Sequence, residues 1–212
     1  CGIGGSSRLL AQHFHCRVTG VDLVSSFVDV AKALSQCTAS TDQKAGETAL
    51  PTFICASILE TGLPDNAFDA LWCQHTLMNI SDKSAAFAEF KRILKPGGLM
   101  VLHEIVRGTG TDLHLPVPWA DRPEISFLLP RQELEALILE AGFRPQLMED
   151  RTDQAKLWWK KVKSAMLKAA DAPPRPLGPH IVFGNNGNLF GETMTQNLEK
   201  GCIGLIEGIY IA

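Results

Sequence analysis

The sequence predicts an α/β protein organised as a doubly wound, mostly parallel sheet. Strand-like and helix-like segments alternate from residue 5 to residue 104, and this requires right-handed crossovers and a sheet covered on both faces. The glycine-dense turn Cys1-Gly2-Ile3-Gly4-Gly5-Ser6-Ser7 opens a helical pattern, and the strand after that helix ends in the carboxylate of Asp22. Such a turn lets backbone approach a nucleoside, and such an acid is aimed at ribose hydroxyls. In sheets of this kind ligands gather at the carboxyl ends of the strands, where Gly5, Asp22, Ser57, Cys73 and Glu104 all fall.

The elements follow in order. A helix is expected over 5–14, with Leu9, Leu10 and Phe14 as its apolar residues, then a strand over 16–22 and a helix over 25–35. A polar loop runs through Ala49 before strands at 52–56 and 68–73. Ser81-Asp82 starts a helix that runs to 94 and ends at Lys95-Pro96-Gly97-Gly98, before a strand at 98–104. Residues 107–127 hold two glycines, three prolines and Trp119 without usable periodicity, which reads as a long loop over a pocket mouth. Pro130 then opens a helix with Leu134, Leu137 and Ile138 on one face, closed by Gly142, and a strand follows at about 144–150. A helix is predicted over 153–170, with one ring of Trp158-Trp159 pointing inward. It is broken by Pro173-Pro174-Arg175-Pro176 and Pro179, with a second helix over 188–200. The run 203–211 reads as the last strand.

The 212 residues suit one domain with a sizeable core. A net charge of -3 argues against a nucleic-acid or anionic-membrane surface. Lys160, Lys161, Lys163 and Lys168 read as a solvated helix face. The six cysteines are scattered without a Cys-x-x-Cys pair, which argues against a disulfide framework and against a metal site; those beside strands read as small hydrophobes. No apolar run reaches transmembrane length. A reducing, cytoplasmic setting is the expectation.

The run Cys1-Gly2-Ile3-Gly4-Gly5, the strand-end Asp22, the stretch Leu63-Pro64-Asp65-Asn66-Ala67-Phe68-Asp69 and the segment Arg92-Ile93-Leu94-Lys95-Pro96-Gly97-Gly98 occur in the order and spacing of successive motifs. Together they resemble class I S-adenosylmethionine-dependent methyltransferases, directly over roughly residues 1 to 150. Trp72-Cys73-Gln74-His75 and Pro116-Val117-Pro118-Trp119-Ala120 look most similar to the small-molecule branch of sarcosine, dimethylglycine and ubiquinone-type enzymes. The resemblance implies a Rossmann-like fold with S-adenosylmethionine as cofactor and S-adenosylhomocysteine as product. In that family an acid, a further glycine and helices precede the position of Cys1, so the chain is expected to lack its native N-terminal strand and helices. A plain hairpin usually joins the last two strands there, so the insertion at 153–200 is expected to be a helical cap on the substrate, closing with the loop at 107–127. Its alternative use is a homodimer contact.

By the same resemblance, Gly2, Gly4 and Gly5 would lie against the methionine and ribose portions and Asp22 would accept both ribose hydroxyls. The plain alternative for Asp22 is a helix cap before Ser25-Ser26. Leu23 would lie against adenine. Ser57 stands where many relatives have an aspartate for the adenine amino group, with the amide of Ile58 donating to the ring. Cys73 and Gln74 end a strand where a backbone carbonyl would take the methionine ammonium. For the methyl acceptor, the candidates are His75, His103 and Trp119, with His114, Arg107 and Arg122 behind them. Imidazole titrates near neutrality, and an indole can shield a cation. A structural histidine or a packing tryptophan is the plain reading of each, and a surface arginine that of Arg107 and Arg122.

The function expected is methyl transfer to a small molecule, either the nitrogen of an amino-acid-like acceptor or the carbon or oxygen of a quinone or natural product. A nicotinamide-dependent reductase would want a third glycine, but Ser7 stands there, and a Tyr-x-x-x-Lys arrangement, but Tyr210 is the only tyrosine. A truncated, non-catalytic domain is the remaining alternative.

Overall fold

The structure, a computed structural model, describes residues 1–42, 49–110, 112–169 and 180–212. The polar loop expected before Ala49 and the proline break at 173–179 lie largely outside the described residues. Two compact units divide the chain, Cys1–Pro64 and Asp65–Ala212.

In the first unit, α1 (Gly5–Phe14) leads to β1 (Thr19–Asp22), α2 (Ser25–Asp42) and β2 (Thr52–Cys55). The two strands pair in parallel from Thr19↔Thr52 to Asp22↔Cys55. Strand β1 therefore starts three residues later than its sequence suggests, because pairing begins only where Thr52 is available. Helix α2 is longer than predicted. Val28 and Ala31 of α2 bury themselves against Phe53 of β2 to make the small core of this unit.

The second unit carries β3 (Phe68–Gln74), α3 (Lys83–Ile93), β4 (Leu94–Arg107), α4 (Arg131–Glu140), β5 (Arg144–Asp150), α5 (Thr152–Ala169), the short α6 (His180–Phe183), α7 (Phe190–Glu199) and β6 (Ile203–Ile211). Its strand order is β3-β4-β6-β5. Strand β4 runs parallel to β3, and β6 runs antiparallel to both β4 and β5. Three of the four strands thus share a direction and only the last is reversed. Helix α3 starts where Asp82 caps the free amide of Ala85 at 2.9 Å. Helix α4 gives way to Gly142, whose φ of 84° few other residues tolerate. Helix α6 has no counterpart in the sequence prediction.

Period-2 alternation sorts the residues of β4 between two faces. Met100, Leu102, Glu104 and Val106 are buried on one face, with Phe87, Phe90, Leu134 and Ile138 of α3 and α4 among the buried residues of the same unit. On the other face Ile105 and its β6 partner Leu205 pack against a cluster made by Val117, Ala120, Leu128, Ala155, Met194 and Leu198. That cluster brings together the segment 107–128 and the helices α5 and α7. Trp159 joins it while Trp158 stays exposed, as the pair was expected to divide.

The segment 107–127 is held mainly through its main chain. Asn197 of α7, fully buried, accepts the amide of His114 and donates to its carbonyl, each at 2.8 Å. Thr193 donates to the carbonyl of Pro116 at 2.7 Å, and the buried Lys83 ammonium donates to that of Phe127. Among the described residues no helix is long and apolar enough to cross a membrane.

Candidate active site

In the first unit, Gly2 and Gly4 take φ values of 53° and 78°, the left-handed region where a side chain is strained. The two differ in why they must be glycine. A Cβ on Gly4 would come within 2.8 Å of the Phe53 ring and 2.9 Å of the Arg8 guanidinium, whereas one on Gly2 would meet nothing within 4 Å. Gly4 is thus required by its φ and by the protein's own packing. Gly5 is the first residue of α1 and also faces open space.

Asp22 organises this loop. Its Oδ2 accepts the Gly2 amide at 2.7 Å and the Cys1 amino nitrogen at 2.9 Å, and its Oδ1 accepts the Val24 amide at 3.0 Å. Burial pushes its pKa up, but the donors from Val24, Cys1 and Gly2 outweigh this, and the carboxyl ends below its ordinary range. The carboxylate is therefore ionised and fixed, and its bond to Val24 closes a turn just ahead of α2. Leu23 beside it is 71% exposed, a large apolar side chain left in solvent. Ser57 folds its hydroxyl onto the chain, accepting the amide of Leu59 at 3.1 Å, and Ile58 lies inside that turn.

In the second unit, β3 ends in Cys73 and Gln74, followed by a 3-10 turn at Leu77–Asn79. Cys73 is buried with its thiol donating to Glu104 Oε1 at 3.3 Å. Burial and then the Glu104 carboxyl push that thiol's pKa up, so Cys73 is no nucleophile. The Gln74 carbonyl accepts the Thr76 hydroxyl at 3.1 Å, and its side-chain oxygen accepts the Trp72 indole N–H at 3.2 Å. Among the cysteines only Cys73 and Cys202 are buried; Cys1, Cys16, Cys37 and Cys55 are exposed, so of the four beside strands the small-hydrophobe reading holds for two.

His75 and His103 meet. Their rings lie edge to face with centroids 4.8 Å apart, and the amide of His75 donates to the carbonyl of His103 at 3.0 Å. His75 is exposed yet flanked by protein, and desolvation followed by the neighbouring His103 pushes its pKa down to about 4. Burial lowers that of His103 as well, against the pull of Glu207, whose Oε1 lies 3.9 Å from His103 Nε2. Both imidazoles are consequently neutral at neutral pH. His103 Nδ1 is buried without a hydrogen-bond partner. Glu207 is also paired with Arg151 at 2.6 Å.

The remaining candidates separate. Trp119 packs on the cluster of the 107–128 segment with its indole N–H donating to Ser126 at 2.9 Å. His114 lies 3.0 Å from the Lys200 ammonium. Arg107 is exposed, and so is Arg122, 3.9 Å from Asp121. No group of three or more potential metal ligands occurs among the described residues. The sequence placed Glu104 at a strand end, but β4 continues past it and its side chain turns inward; the apolar residues of matching parity, Met100, Leu102 and Val106, were the signal.

Comparison with known proteins now adds to this geometry. Residues 1–102 match the family described as a methyltransferase domain. Phosphoethanolamine N-methyltransferase 3 of Arabidopsis thaliana is 28% identical over 162 residues, which cover 73% of this chain and 29% of that protein. The 2-methyl-6-phytyl-1,4-hydroquinone methyltransferase of a Synechocystis species is 27% identical over 147 residues, covering 69% and 42%. A crystal structure of a putative sarcosine dimethylglycine methyltransferase from Galdieria sulphuraria superposes with a TM-score of 0.79 at 21% identity, over 99% of this chain and 75% of that one. The chain spans less than a third of the length of the phosphoethanolamine relative. Fold and motifs together are those of a class I, S-adenosylmethionine-dependent methyltransferase domain, with the family match itself lying over residues 1–102.

Proposed function

We propose that the protein transfers a methyl group from S-adenosylmethionine to the nitrogen of a small, amino-acid-like acceptor. The observation that carries this reading is the neutral imidazole pair His75 and His103 at the end of β3. An amine acceptor is protonated in neutral water and must lose a proton before its lone pair can attack. A neutral imidazole can take that proton, whereas an imidazolium cannot.

The first unit suits the cofactor. The Gly2 side of the loop is open, the Asp22 carboxylate is fixed and ionised, and the exposed Leu23 offers an apolar surface for a flat ring. Gly2, Gly4, Gly5, Asp22, Leu23, Ser57 and Ile58 of this unit would hold it. When bound, it supplies an electrophilic methyl group on a sulfonium. The protein's own work is to orient the acceptor and exclude water. In this reading the segment 107–127 and the helices within 153–200 wall the acceptor chamber, Trp119 stiffening it from within, and one domain holds the whole machinery. The scattered cysteines and the net charge of -3 support our reading of a cytoplasmic enzyme acting on small molecules.

A second reading, methylation of a quinone carbon or oxygen, is favoured by the likeness to the hydroquinone enzyme. One experiment separates them. Melting scans with and without S-adenosylhomocysteine test the cofactor, since a ligand that binds only the native state raises the melting temperature. A screen of sarcosine, dimethylglycine, phosphoethanolamine and hydroquinones, read by product mass, then tests the acceptor. Methylated amines, with turnover strongly reduced in His75→Ala and cofactor affinity unchanged, are expected. Products from hydroquinones alone would overturn the nitrogen reading, and no rise in melting temperature would overturn the cofactor.

A further inference from the structure

Glu104 is fully buried, and its carboxyl is bonded in an uneven way. Oε1 accepts the amide of Thr76 at 2.8 Å, the amide of Leu77 at 3.2 Å and the Cys73 thiol at 3.3 Å. Oε2 is buried and has no partner. A buried carboxylate is retained only where its surroundings repay its desolvation, so an oxygen with three donors beside one with none calls for an explanation.

The donors explain it. Thr76 and Leu77 follow His75, a non-glycine residue held at φ 51°. A histidine in the left-handed region persists only where neighbouring structure overdetermines it. Here the three successive amides of residues 75, 76 and 77 are taken by two successive residues of β4. The His103 carbonyl receives the first and the Glu104 carboxyl the other two. One strand thereby sets both the conformation of His75 and the position of its ring against His103.

We propose that Glu104 is a positioning residue that holds the His75 turn through the amides of Thr76 and Leu77, and releases it when a proton binds the unpartnered Oε2. The inference rests on the reading of His75 as an acceptor-facing base. The titratable and charged groups that face Glu104 are the Cys73 thiol from β3 and the Lys83 ammonium from α3; the 3-10 turn presents only main-chain amides. Burial pushes the carboxyl's pKa up to about 7 against these donors, so its charge changes in the neutral range. A proton on Oε2 withdraws charge from Oε1 and weakens its grip on both amides. A glutamate that merely fills its place would leave the His75 ring insensitive to this proton.

The test uses the full chain with labelled histidines, followed by NMR. In the wild type the ring-to-ring cross-peak between His75 and His103 is expected at about pH 8 and weakens as the pH falls through about 7, well above the value of about 4 for His75. In Glu104→Gln the amide oxygen still accepts both amides without a titrating charge, so the cross-peak should persist and lose its step near neutrality. In Glu104→Ala it should be lost. A full cross-peak in Glu104→Ala, or a step that survives in Glu104→Gln, overturns the proposal, and the Gln variant decides alone if the Ala variant does not fold. The underlying reading fails separately, through unchanged turnover in His75→Ala, while the cross-peak still reports on Glu104.

Discussion

Asp22 in the first unit and Glu104 in the second do the same job in opposite surroundings. Each carboxylate sits on a strand and accepts main-chain hydrogen bonds from a turn that includes a left-handed residue: Asp22 takes the amide of Gly2 itself, and Glu104 takes those of Thr76 and Leu77 after His75. Asp22 keeps solvent contact, and its pKa falls below the ordinary range. Glu104 has none, and its pKa rises to about 7. Hydrogen bonds favour the charged form in both, so burial decides the sign. A glycine-rich loop can be fixed by a permanently ionised acid, whereas the histidine turn is held by an acid that can still change state.

The largest expected effect tests the first of these turns. Gly4→Val forces a side chain into φ 78° and into the Phe53 ring, and should abolish S-adenosylhomocysteine binding, a loss of about 3 kcal/mol or more. Calorimetry showing normal affinity would mean that the loop does not form the cofactor site.

Next comes the stability of Glu104→Gln across pH. The folded-state pKa of Glu104 is raised from 4.5 to about 7, so the native state binds the extra proton between those values. Wild-type stability contributed by this group is therefore present below about pH 4.5 and is lost as the pH rises through about 7, by up to about 3 kcal/mol. Urea melts should show Glu104→Gln gaining on the wild type over that window. A constant difference between the two from pH 4 to 8 would erase the contrast with Asp22.

Smallest is Asp22→Ala, which should weaken S-adenosylhomocysteine binding by about 1.5–3 kcal/mol, the range for hydrogen bonds to a charged group. Its fold should stay intact, as judged by circular dichroism, because the acid is partly solvated. Unchanged affinity would leave Asp22 with the turn ahead of α2 alone, through Val24.

Much of this was legible in the chain, and the exceptions share a cause. The alternation of apolar runs with glycine and proline punctuation located every strand, because that signal is local. Strand ends were misjudged where a remote partner sets them. Strand β1 shortens because Thr52 is its first partner, and β4 runs on past Glu104 to Arg107 because Ile203–Ile206 of β6 lie alongside. At the candidate site, Gly2, Gly4 and Asp22 could be named from the glycine spacing and the strand-end acid, and the Gly2 amide donates to Asp22. The contact of His75 with His103 joins neighbouring strands, so their separate strand-end positions hinted at it. Asn197 carried no signal at all, since its partner His114 is 83 residues away. Lys83 carried no signal either, and it buries its ammonium against two carbonyls.

The attachments of the 107–127 segment bear on how such an enzyme diversifies. Asn197 holds the amide and carbonyl of His114, Thr193 the carbonyl of Pro116, and Lys83 that of Phe127. None of these anchors reads a side chain of the segment. Substitutions along it can therefore accumulate without detaching it, provided the few apolar positions that reach the cluster are kept. Variation would concentrate on the segment's free side chains and spare Thr193 and Asn197, so that one scaffold could be retuned to a new acceptor by drift in a single stretch of chain.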